Sequence, residues 1–264
     1  MQTSLSINTM HGTLLLAVAG IFFLAGFVKG VVGLGLPTIA VGLLGIFMSP
    51  WQAAVLLILP SLVTNIWQLL SGASCWYLLR RLAVMLLGIV IGTLLGARFF
   101  PGVTDNRATV ALGLTLMIYA GMGLAAVRFF VPPAREQGVA LLIGLATGMI
   151  TAATAVFVIP AVPFLQALRL DKDELIQALG LSFTASTIAM AAVLVQDGGM
   201  RIIDTGLPLL SLLPALGGMF CGQSLRARIS ERIFRRCFLF GLLLLGLHLA
   251  VHGWRAGAIL AAHA

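Results

Sequence analysis

Hydrophobic positions along the chain gather into eight blocks, at about 14–48, 51–71, 82–97, 108–127, 138–168, 175–196, 205–223 and 237–252, with polar residues confined mostly to the gaps. An apolar run of about 20 residues reads as a transmembrane helix. The blocks fall into two fours, each opened by a long interrupted block and completed by three of ordinary length, which is the signature of an internal repeat. Residues keep step with it. Gly26 and Gly30 pair with Gly144 and Gly148 at an offset of 118, Ser61 with Ser182 at 121, and Gly92 and Gly96 with Gly218 and Gly222 at 126. The pattern predicts an all-α polytopic membrane protein, one membrane domain over 1–264, with a first repeat at 12–128 and a second at 137–253.

The opening block of each half carries a break. In GFVKGVVGLGLP, Gly26 to Pro37, a lysine, four glycines and a proline interrupt what is otherwise a bilayer-length helix. Glycine weakens a helix and proline removes a backbone donor while clashing with the preceding turn. The opening blocks, about 35 and 31 residues long, are too long for one straight crossing and too short for two. A broken helix or a re-entrant hairpin fits that length, so six full crossings plus two broken or re-entrant elements are expected. Freed backbone groups at such a break must face protein or a wet cavity.

Charge then chooses between arrangements, because cytoplasmic loops accumulate Lys and Arg. The segment LRARISERIFRR, Leu225 to Arg236, holds five arginines and belongs inside. Re-entrant opening blocks place Arg80, Arg81, Arg128, Arg135, Arg169, Lys172 and those five inside, eleven cations against Arg98, Arg107, Arg201 and Arg255 outside. Single-crossing opening blocks give a much weaker bias, so the two repeats are expected to be inverted. Only 9% of residues are charged, against about 25% in a soluble protein, and mean hydropathy is +1.10. The net charge of +8 follows from the loops and reads as topology, with no nucleic-acid partner implied. The first eleven residues lack a basic n-region and a cleavage site, so the first segment is expected to be retained. Cys75, Cys221 and Cys237 show no metal-ligand spacing and read as buried small hydrophobes. No cofactor or metal is implied.

Three groups of residues carry candidate chemistry. Lys29 is the one charged residue that does not map to a segment end. It either snorkels to a nearby surface or attracts an anion near the midplane. Ser61, Thr64, Asn65 and Gln68 stand at i, i+3, i+4 and i+7, a polar stripe along one helical face. Ser182, Thr184, Ser186 and Thr187 follow the second break. Such groups face a polar path or bond to a neighbouring helix, and hydroxyls, amides and exposed backbone N–H groups can donate to anion oxygens. Breaks at corresponding places in two repeats point to a transporter's binding site. The site is therefore placed between Gly30 to Pro37 and Thr147 to Ala155, flanked by Thr64, Asn65, Thr184 and Ser186, with Gly30, Gly33, Gly35, Pro37, Thr147, Gly148, Thr151 and Thr154 lining it. The Gly-x3-Gly residues Gly88, Gly92, Gly96, Gly218 and Gly222 are read as helix-packing positions.

The stretches GFVKGVVGLGLP, GLATGMITAATAVFVIP (Gly144 to Pro160) and GIVIGTLLGAR (Gly88 to Arg98) together resemble the sulfite exporter TauE/SafE family, the TSUP permeases. The resemblance covers about residues 15–250. It implies export of a small sulfur-containing anion, sulfite or an organosulfonate, across the inner membrane. Gly35, Leu36 and Pro37 replace a run of three glycines common in that family, Gly42 replaces a following proline, and Ala153, Thr154 and Ala155 occupy the second-half positions.

All eight acidic residues lie in loops or at segment ends, and His248 and His252 sit near the end of the last block. A carboxylate proton relay is therefore not expected, and uniport or potential-driven anion movement needs none. Asp171, Asp173 and Glu174 read as caps of block six, with a gating contact to the arginine-rich loop as the alternative. No nucleophile motif or haem-type histidine pair points to an enzyme. Transport of another small anion, or a membrane scaffold without transport, are the alternative functions, and the oligomeric state is left open.

Overall fold

A computed structural model of the protein describes residues 2–100, 106–126, 130–196, 206–226, 228 and 230–262. Ten α-helices and one 3-10 turn make up these residues, with no strand among them. The first half contains α1 (Gln2–Val32), α2 (Leu36–Leu44), α3 (Pro50–Leu70), α4 (Cys75–Phe99) and α5 (Asn106–Leu124). After the turn Pro133–Arg135 come α6 (Glu136–Thr154), α7 (Ala161–Ala167), α8 (Lys172–Gln196), α9 (Leu207–Leu225) and α10 (Glu231–Ala262).

Eight of these helices are long and apolar enough to span a bilayer, among them Leu14–Val32 of α1 and Pro133–Thr154, which includes α6. The expected six crossings are corrected on this point. Each opening block holds a span-length helix plus a short one, because a break of only a few residues uses little chain. The α2 helix has 9 residues and rises about 13 Å, roughly half the hydrocarbon thickness. Large apolar side chains such as Leu16, Leu87, Leu142 and Leu213 are more than 60% exposed, which water would penalise and lipid does not. The protein is a multi-pass membrane protein.

Local chemistry explains the element ends. Gly33 (φ 81°) and Gly35 (φ 114°) turn the chain between α1 and α2 in the left-handed region that favours glycine, and Pro37 follows in the first turn of α2. Ala155 (φ 57°) ends α6 in that region without the same freedom, which costs about 1 kcal/mol or more. Ser49 opens α3 with a capping box, its hydroxyl accepting from Gln52 N and its own N–H donating to the Gln52 side chain at 3.1 Å.

The small residues decide which helices touch. Gly26 and Gly30 of α1 lie against Ala215, Met219 and Gly222 of α9, so these helices run parallel. Gly88, Gly92 and Gly96 of α4 meet Leu141, Gly144, Leu145 and Met149 of α6, again parallel. The two remaining major pairs are antiparallel. Gly180 of α8 sits beside Asn65 and Leu69 of α3, and Gly253 of α10 sits beside Asn106 and Val110 of α5. At the start of α4 and α6, Arg81 donates to both carboxylate oxygens of Glu136 at 2.7 and 2.9 Å.

The cysteines are not buried as expected. Cys75 and Cys221 are half-buried and Cys237 is exposed, because the surface of a membrane bundle accepts a small hydrophobe as readily as its core does. His248 and His252 stack at 6.1 Å on an exposed face of α10. Of the residues weighed in the sequence, Asp105, Arg128, Asp197, Arg201 and Asp204 lie outside the described residues.

Candidate functional site

The last turns of α1 bring Lys29 into the bundle, where it is only 3% exposed. Its ammonium donates to Thr64 Oγ1 at 3.1 Å and to Asn65 Oδ1. Both partners are neutral, and among the described residues no carboxylate pairs with Lys29. Lys29 therefore does not snorkel. A buried ammonium held only by neutral groups remains open to a negative partner, since desolvation of the charge has been offset only in part.

The α3 stripe is assembled around this lysine. Asn65 accepts from Lys29 and donates through Nδ2 to Ser61 Oγ at 3.3 Å and to Thr187 Oγ1 of α8 at 3.4 Å. Gln68 donates through Nε2 to the carbonyls of Gly33 at 2.8 Å and Ile176 at 2.9 Å, joining the break after α1 to the start of α8. These four residues are buried because the stripe lies between α1 and α8 and away from lipid.

A cavity of about 280 Å³ opens beside them. Lys29, Gly30 and Gly33 line it from α1 and the break, and Trp67, Gln68 and Ser71 from α3. Asp173 and Ile176 of α8 and Gln223 and Arg226 at the end of α9 complete the wall. Two cations against one carboxylate leave the cavity net positive, which suits a small anion. One turn back along α3, Ser61 and Thr187 border a void of only about 10 Å³, walled by Leu57, Phe157 and Met190. That space holds one water at most. The polar layer of Lys29, Asn65 and Thr187 thus divides a roomy cavity on the Arg226 side from a closed region beyond.

The second-half candidates do not converge on this cavity. Thr147, Thr151 and Thr154 each donate to a carbonyl one turn back in their own helix, at 2.7 Å, and Gly148 is pressed against Ile89 and Thr93 of α4. Thr184 and Ser186 likewise donate to Gly180 O and Ser182 O. A threonine or serine is short enough to bond within its own helix, whereas a lysine must reach outward. Gly35 packs against Phe238 and Val28, Pro37 is buried in the first turn of α2, and Ser182 Oγ is buried without a protein partner among the described residues. The candidate cavity is one-sided, drawn from α1, α3, α8 and α9.

Sequence reasoning passed over Gln177, Gln223 and Ser71. Gln177 accepts from Ser74 N at 2.9 Å and donates to Leu69 O at 2.8 Å, tying the α3–α4 turn to α8. An amide within an apolar block was the available signal. Asp173 and Arg226, weighed as caps and as a loop contact, both line the cavity.

A model of the sulfite exporter TauE/SafE family matches residues 18–249, from the buried part of α1 through most of α10. The chain belongs to the TauE/SafE sulfite exporter family. Every residue lining the cavity falls within the matched stretch. TauE/SafE proteins are membrane transporters, and the positive cavity at the broken opening block is the feature of this chain that fits an anionic cargo. Among curated proteins and among solved structures, nothing matches the chain.

Replacing Asn65 with Leu keeps the γ-branched shape at a larger volume but removes the acceptor for Lys29 and both donors to Ser61 and Thr187. Transport by Asn65→Leu is expected to fall by about tenfold or more, the scale of a lost hydrogen bond to a buried charge. The protein should still insert. Vesicle uptake at matched protein density checks this, and full activity would remove Asn65 from the path.

Proposed function

We propose that the protein is a permease of the inner membrane that exports sulfite or an organosulfonate, holding the anion in the cavity at Lys29. The observation that carries this reading is a buried ammonium, bonded among the described residues only to Thr64 and Asn65, on the wall of a positive cavity in a TauE/SafE chain. The anion's oxygens accept from Lys29 and from Arg226 on the way in. No intramembrane carboxylate is needed for movement driven by the gradient or by an inside-negative potential, which pushes an anion outward. A scaffold would gain nothing from a buried lysine beside a cavity. Binding of sulfite and of methanesulfonate to the purified protein, measured by calorimetry, tests the reading, and failure of both to bind would oppose it.

The same reading places the two halves as inverted repeats with the Arg226 side facing the cytoplasm. Supporting it, the helices matched by the repeat, α3 with α8 and α5 with α10, run antiparallel where they touch, as inversion requires and as parallel repeats forbid. The crossings α1–α9 and α4–α6, both parallel and both built on glycines, exchange places under that inversion. A single cysteine at Arg80, in a chain freed of Cys75, Cys221 and Cys237, should then react with an impermeant maleimide only from the cytoplasmic side. Labelling from outside in intact cells would reverse the orientation.

A further inference from the structure

One wall of the cavity is a single side chain thick. Trp67 lines the cavity from α3 and is itself 52% exposed, with Ile66 and Leu70 exposed beside it on the face that meets lipid. Across the seam, Phe220 of α9 is 44% exposed and meets the Trp67 ring edge to face, with ring centroids 5.6 Å apart. Its neighbours on α9, Met219 and Gln223, line the cavity. The Trp67–Phe220 contact thus stands between the cavity on one side and the bilayer on the other.

The α3–α9 seam is filled by side chains because the two backbones have no small residues with which to close it. On α9, Gly218 and Gly222 are taken up by the backbone of α1 at Phe23 and Phe27, and α3 contains no glycine. An edge-to-face ring pair adds only about 0.5–1.5 kcal/mol beyond the area it buries, and two half-exposed rings can turn aside into lipid by a change of rotamer. About one turn from Phe220 on the same exposed face, nothing lies within 4 Å of a Cβ built on Gly217, so the seam continues as a shallow trough along α9. Behind it, Lys29 and Arg226 supply the positive charge of the cavity.

We propose that the cavity also takes amphiphilic sulfonates from the leaflet on the Arg226 side, with the sulfonate held by Lys29 and Arg226 and the hydrocarbon tail leaving between Trp67 and Phe220 into lipid. The proposal rests on the anion-binding reading of this cavity and adds a second way in, from the bilayer in place of water. Moving a CH2 group from lipid to water costs about 0.8 kcal/mol, so a long tail drawn out through an aqueous mouth would lose more than the head contacts supply. A tail that stays in lipid avoids that loss, and an opening in the lateral wall is what lets it stay.

Uptake of radiolabelled sulfite into proteoliposomes tests this, with hexadecane-1-sulfonate included in the membrane at a few mole per cent. Uptake is expected to fall about tenfold or more, whereas phosphatidylserine at matched surface charge should leave it unchanged. The same sulfonate carrying a photoreactive diazirine near its head should label the peptides that hold Trp67 and Phe220, and excess methanesulfonate should suppress that labelling. Undiminished uptake, equal inhibition by phosphatidylserine, or labelling spread over the lipid-facing helices and insensitive to methanesulfonate overturns the proposal while leaving the anion site standing. Absence of saturable sulfite uptake even without the amphiphile contradicts the anion reading itself and the proposal with it.

Discussion

Replacing Lys29 with Gln is expected to raise the dissociation constant for the transported anion by about ten- to a hundredfold, with the bundle still folded. A charge-assisted contact in a desolvated site is worth about 1.5–3 kcal/mol, and each 1.4 kcal/mol is about a factor of ten. Glutamine reaches nearly as far and can still donate to Thr64 or Asn65, so the polar layer keeps a partner while the cavity loses its buried charge. Lys29→Arg should do less harm, although a planar guanidinium needs more room than a tetrahedral ammonium between α1 and α3. Calorimetric titration of both variants checks the order parent, Arg, Gln. Equal affinity in all three would remove Lys29 from binding and leave Gly33 and Gly35 as turn residues only.

The largest loss of stability is expected at the glycine crossings. A Cβ on Gly218 would stand 2.0 Å from the Phe23 carbonyl oxygen, and one on Gly92 2.2 Å from that of Leu145. Both obstacles are backbone, so α1 must move off α9, or α4 off α6, along the whole contact. Gly218→Val and Gly92→Val should each lose about 3 kcal/mol or more, at the upper end of overpacking costs. Gly217→Ala is the control. Nothing lies within 4 Å of a Cβ there, and alanine favours a helix by about 1 kcal/mol. Thermal unfolding in detergent reads the difference, and a Gly218→Val protein as stable as the parent would mean that the α1–α9 contact is not as close as it stands here.

Particular residues show what the sequence could and could not disclose. The break was legible because Gly33, Gly35 and Pro37 each forbid or weaken helix for a stated reason, and the chain does turn there. The α3 stripe was legible because 3.6-residue periodicity puts Ser61, Thr64, Asn65 and Gln68 on one face whatever that face meets. The glycine crossings were legible as packing positions, though not which helices they join. Partner choice depends on contacts far apart in the chain, such as Gly30 with Gly222. The division of the opening blocks was beyond block length alone, since each holds a span-length helix and a separate short one, as α1 and the 9-residue α2 do. The direction of an amide was beyond reach. Gln68 counts as donor and acceptor alike until Gly33 and Ile176 claim its nitrogen. The second-half threonines matched the first-half site by offset, but Thr147, at the position of Lys29 in the repeat, is too short to leave its own helix and bonds to Ile143 O.

The central claim is that a small sulfur oxyanion crosses the membrane through this chain by way of Lys29. Uptake of radiolabelled sulfite into liposomes carrying the purified protein, with an inside-positive potential imposed, tests it most directly. The account predicts saturable uptake above protein-free liposomes, reduced about ten- to a hundredfold at subsaturating sulfite in Lys29→Gln. Uptake no greater than in protein-free liposomes, or uptake that Lys29→Gln leaves unchanged, would contradict it.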